Sequence, residues 1–149
     1  MLILRGISGD FALNGVMRHW PNGALDEPSA VEYARRRGFV GHVLDVSGEA
    51  YDNSPQVLMC LDEFRKDPSV AALYGFSGGG YNVRHVIDHM TDAEKQRIKL
   101  VVVLGAPINP ESLYRQGSWE LVYRTDPPDG HMQGPLALLN ELTTTPIIA

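Results

Sequence analysis

The hydroxyl of Ser77 is the side chain whose surroundings best suit it to nucleophilic chemistry. It stands in Gly75-Phe76-Ser77-Gly78-Gly79, between the apolar run Val70–Gly75 and a helix-forming segment that starts at Gly79. G-x-S-x-G between a strand and a helix holds a serine out on a sharp, strained turn. The chain then passes close to itself two residues on either side, so side chains at positions 75 and 79 would clash. The free N–H groups and the dipole of the helix starting beneath the serine favour negative charge beside its oxygen.

A serine hydroxyl needs a base to take its proton, and the base needs a group that fixes its tautomer. In parallel α/β sheets such groups gather outside the carboxyl ends of the strands. His131 follows the last strand-like run, Trp119–Arg124, and so shares that rim with Ser77. His19, His85 and His89 are placed less well, and His42, at the start of a strand, reads as structural. Asp126 is the favoured acid. Between it and His131 run Pro127-Pro128-Asp129-Gly130, a turn-forming sequence. Five residues span at most roughly 17 Å, so a tight turn brings the two side chains together. Asp129, Asp45 and Glu111 stay open as rivals on the same rim.

An oxyanion formed at Ser77 needs two preorganised N–H donors. The first expected donor is the amide of Gly78. The second is Ile7 or Ser8, in the glycine-containing loop Gly6-Ile7-Ser8-Gly9-Asp10 after the first strand.

The elements that must position these groups can be read from the hydrophobic pattern. Leu2–Arg5, Val40–Val46, Val70–Gly75 and Leu100–Gly105 are continuous apolar runs, the mark of strands buried on both faces. Trp119–Arg124 alternates more and is expected at an edge. Helical patterns lie between them. Pro28–Arg37 follows the cap-like Asp26 and ends at Gly38, with Arg35-Arg36-Arg37 in its last turn. Gln56–Lys66 has Ser54 as N-cap and Pro55 at its first position, with Val57, Leu58, Leu61 and Phe64 on one face. Gly79–Met90 follows the serine, and Pro135–Leu142 closes the pattern before a fraying tail, Thr143–Ala149. The alternation predicts a single α/β domain, a three-layer sandwich around a mostly parallel five-stranded sheet.

The order Ser77, Asp126, His131, with the elbow and the glycine loop after the first strand, resembles the α/β-hydrolase superfamily from Leu2 to about Leu142. The resemblance implies a nucleophile after the central strand, an acid after a later strand and a histidine in the last loop. It departs from that family in four respects. The usual His-Gly before the oxyanion loop is Arg5-Gly6 here, and the chain is much shorter than most members. Four residues separate Asp126 from His131, where the family normally has a further strand and helix. The connection Ala106–Ser118 is too short for a large lid. A compact, lidless, esterase-like enzyme is implied, cleaving a small-molecule carboxylic ester or thioester through an acyl-enzyme, with no metal or organic cofactor. An acyltransferase with the same residues and a non-catalytic binding module are the alternatives.

Composition narrows the classes further. The 149 residues are 44% hydrophobic and 21% charged, ordinary for one globular domain. A net charge of −5 argues against nucleic acid or an anionic membrane surface as a partner. No run approaches a membrane span. The single cysteine, Cys60, allows no internal disulfide, and a cytoplasmic protein is expected. So short a chain invites a homo-oligomer in which a second subunit supplies walls to the site. His85 and His89 share a helix face, but H-E-x-x-H is absent and they read as exposed residues. Gly78-Gly79-Gly80 lacks the lysine of a phosphate loop. Tyr51, Tyr81 and Trp119 read equally as acyl-pocket walls or as core.

Overall fold

The computed structural model describes residues 1–13, 16–20 and 26–144. Its centre is a parallel sheet of five strands: β1 (Leu2–Leu4), β4 (His42–Val43), β5 (Ala72–Phe76), β6 (Leu100–Leu104) and β7 (Glu120–Arg124). They lie in the order β4-β1-β5-β6-β7, so the order reverses between β1 and β5. Between β1 and β4 a hairpin intervenes, β2 (Gly9–Leu13) paired antiparallel with β3 (Val16–Trp20). The helices are α1 (Asp26–Arg36), α2 (Pro55–Lys66), α3 (Gly78–Asp88), α4 (Asp92–Gln96), α5 (Glu111–Tyr114) and α6 (Gly134–Thr144).

The apolar runs form strands because both of their faces are covered. In β6, Val101 and Val103 join one core cluster, while Leu100, Val102 and Leu104 join the other. The first cluster takes Val57, Leu61 and Phe64 of α2 with Val83, Val86 and Ile87 of α3. The second takes Ala30, Tyr33 and Ala34 of α1 with Leu138 of α6. Each buried Val, Leu, Ile or Phe among them contributes about 1.5–3 kcal/mol. The three-layer α/β sandwich is therefore present, with all five strands parallel and β7 at an edge.

Local signals account for the helix starts. Ser54 caps α2 by accepting the Val57 N–H through its side chain, and Pro55 follows at the first position. Thr91 and Glu94 close a reciprocal capping box on α4, which the apolar pattern did not reveal. The expected strand Val40–Val46 is shorter than predicted. β4 pairs only with β1, itself three residues long, and Val40 stands exposed. The hairpin was also not foreseen; it begins at Gly9, so the loop after β1 ends at Ser8. Helix α6 runs on through Thr144, and the remainder of the expected tail lies outside the described residues. Among the described residues, no helix is long and apolar enough to cross a membrane.

Candidate functional site

Four strands deliver their carboxyl ends to one rim: Ser77 after β5, Gly6 and Ile7 after β1, Gly105 after β6 and Asp126 after β7. The strand order reverses between β1 and β5, the place at whose carboxyl ends open α/β sheets take their ligands. Ser77 follows β5 and the Gly6–Ser8 turn follows β1, so the two adjoin at that reversal.

Ser77 has φ 57° and ψ −121°, a left-handed backbone that costs a non-glycine residue roughly 1–3 kcal/mol. Its N–H donates to the Leu104 carbonyl at 2.8 Å, and its carbonyl accepts the Gly80 N–H at 2.9 Å. The close approach expected around it is present. A Cβ on Gly75 would run into the Gly79 carbonyl and come within 2.6 Å of Val83 Cγ2, and one on Gly79 would run into the Leu4 carbonyl. The strain is thus held by backbone packed on backbone. Ser77 itself is half-buried.

His131 opens a short 3-10 turn ahead of α6 and lies stacked on Phe76, with ring centroids 4.8 Å apart and planes at 26°. Its Nδ1 is 2.7 Å from Asp126 Oδ1. The intervening residues fold back through a turn in which the Gly130 N–H donates to the Pro127 carbonyl at 3.0 Å. The pair rests on Gly105, whose φ is +61°. A Cβ there would lie 2.7 Å from His131 Cε1 and 2.9 Å from Asp126 Oδ1. No hydrogen bond joins Ser77 Oγ to His131 among the described residues.

The rival acids are placed differently. Asp45 lies 3.2 Å from Arg5 Nη1, and Glu111 pairs with Arg115 at 3.0 Å. Asp129 is exposed on the turn itself. Of the two expected second donors, Ser8 gives its N–H to Ser47 Oγ at 2.8 Å. The N–H groups of Ile7 and Gly78 donate to no described group. They are neighbours: Ile7 Cγ1 is 3.7 Å from the position of a Cβ on Gly78, and Ser77 Cβ is 3.4 Å from that of a Cβ on Gly6.

Other residues singled out in the sequence lie elsewhere. His89 binds Asp52 on the surface at 2.6 Å, and no group of three or more His, Cys, Asp or Glu among the described residues could hold a metal ion. His42, read as structural, is exposed. Cys60 is fully buried, and burial pushes its thiol far up from the ordinary range. Trp119 is core, Tyr81 is partly buried against the core and Tyr51 is exposed. A cavity of about 700 Å³, bounded by residues such as Met1, Leu2, His42, Asp67 and Val70, opens at the opposite, amino end of β1 and β4. Gly105, Ser47, Gln56 and Asn82 had no motif to flag them. Gly105 alone carried a local signal, its place directly after a buried strand. No protein-family model matches the chain, and no curated protein matches it.

Proposed function

We propose that this protein is a serine hydrolase of the α/β-hydrolase kind, acting on a carboxylic ester or thioester. The observation that carries the reading is the company Ser77 keeps. A serine in a strained elbow adjoins the turn of Ile7, the N–H groups of Ile7 and Gly78 donate to no described group, and His131, held by Asp126, stacks on the residue before the serine. Strain of this kind is costly and persists where function needs the exposed side chain.

In this reading Asp126 accepts the Nδ1–H of His131, which leaves Nε2 free as the base. As Ser77 Oγ attacks the acyl carbon, Nε2 takes its proton. The charge that develops on the acyl oxygen is met by the N–H groups of Ile7 and Gly78. Collapse expels the alcohol or thiol, which leaves with the proton returned by His131. Water, deprotonated by the same nitrogen, then releases the acid and frees Ser77.

A fluorophosphonate probe tests this directly. The wild-type protein takes up one label, and Ser77→Ala and His131→Ala take up none. A folded wild-type protein that stays unlabelled overturns the reading and leaves a non-catalytic module. Hydrolysis of short- and long-chain nitrophenyl esters, with and without an added alcohol, separates an esterase from an acyltransferase.

A further inference from the structure

Of the two donors proposed for the oxyanion, Gly78 is positioned by the elbow. Ile7 stands in a turn between β1 and β2 that belongs to neither strand. A buried polar bracket holds that turn. Gln56 of α2 and Asn82 of α3 are both fully buried. Asn82 Nδ2 donates to Gln56 Oε1 and to the Glu49 carbonyl, each at 2.9 Å. Gln56 Nε2 donates to the Arg5 carbonyl at 2.9 Å. The Gly48 N–H donates to the Gly6 carbonyl at 3.0 Å, and Ser47 Oγ accepts the Ser8 N–H at 2.8 Å. The chain is therefore tied on both sides of Ile7, and the Ile7 N–H donates to no group among the described residues. The same loop abuts the elbow, since the Gly48 carbonyl occupies the place a Cβ on Gly78 would take.

The bracket carries a cost. Asn82 Oδ1 is buried without a hydrogen-bond partner among the described residues, and such a group costs about 1–3 kcal/mol. Apolar side chains of similar size would fill the space without it. What they would not do is fix the Arg5 and Glu49 carbonyls.

We infer that Ser47, Gln56 and Asn82 are positioning residues that hold the Gly6–Ser8 turn against the elbow, so that the Ile7 and Gly78 N–H groups meet the same oxygen beside Ser77. The inference rests on the hydrolase reading. A misplacement of about 1 Å at a reacting centre can cost roughly 100-fold in rate, and loss of an oxyanion donor roughly 100- to 1000-fold.

The test measures two quantities on the full chain: hydrolysis of 4-nitrophenyl acetate, and inhibition by phenylboronic acid, whose serine adduct puts an oxygen where the oxyanion would sit. In Gln56→Met, kcat falls about 10- to 100-fold, KM stays within about threefold and boronate inhibition weakens in parallel with kcat. Ser47→Ala loses roughly 3- to 10-fold in kcat, and Ser47→Thr, which keeps the hydroxyl, recovers it. Circular dichroism verifies folding, and if Gln56→Met does not fold the Ser47 pair decides. Folded Gln56→Met or Ser47→Ala with wild-type kcat and boronate affinity overturns the inference alone. A wild-type protein that neither hydrolyses the ester nor takes a fluorophosphonate overturns the hydrolase reading and this inference with it.

Discussion

Two histidine–aspartate pairs stand among the described residues, and as bonds they are nearly the same. His131 and Asp126 meet at 2.7 Å, His89 and Asp52 at 2.6 Å. Their exposures match as well, 37% and 49% for the first pair against 38% and 54% for the second. What separates them is what lies underneath. The first pair is stacked on Phe76 and seated on Gly105, one residue from the elbow. The second sits at the far end of α3, about 16 Å along the helix axis from Gly78. A histidine held by a carboxylate is common surface chemistry, and what sets the first pair apart is its place beside the strained Ser77 turn.

The largest expected effect breaks the symmetry between the pairs. On the proposed hydrolase reading, His131→Ala lowers ester hydrolysis by about 10,000-fold, while His89→Ala leaves it within about twofold. Equal effects in a rate assay would end the distinction. Next comes the acid: Asp126→Asn costs roughly 100- to 10,000-fold in kcat, and Asp52→Asn has no such cost. A loss shifted to Asp129→Asn would name the other carboxylate.

A smaller effect concerns the seat. Gly105→Ala imposes a left-handed backbone on alanine and drives its Cβ into the first pair, so thermal unfolding should reveal a loss of roughly 1–3 kcal/mol. The smallest effect belongs to the second pair. The His89 hydrogen bond, foremost among its causes, holds the Asp52 carboxyl below its usual 3.8. A depressed folded-state value means the contribution is present above that ordinary value and is lost as pH falls through the folded one. Melting temperatures of wild type and Asp52→Asn should therefore converge on acidification; a gap that widens below pH 3.8 would contradict the assignment.

Much of this arrangement could be read from the chain because the informative signals were local. β1, β5 and β6 announce themselves as runs apolar on every residue, since both faces are buried. The elbow is visible because steric exclusion demands glycine at set distances from Ser77. The hairpin has a weaker signal, Asn14-Gly15 between two short apolar stretches. The bracket was invisible for another reason. Gln56 and Asn82 fall within ordinary helical patterns, and their partners are carbonyls 51 and 33 residues away in sequence. Backbone acceptors carry no side-chain signature, so such ties appear only once the chain is folded.

The edges of the sheet have a bearing on solubility. An open edge offers unpaired N–H and C=O groups to any passing strand, and long flat apolar edges invite aggregation. Here one edge is β4, only two residues long. The other, β7, is flanked by exposed charges, Glu120 paired with Arg37 and Arg124 paired with Glu141. Neither edge gives a second chain a long apolar ladder to extend, so the sheet's apolar centre is shielded at both sides from templating growth.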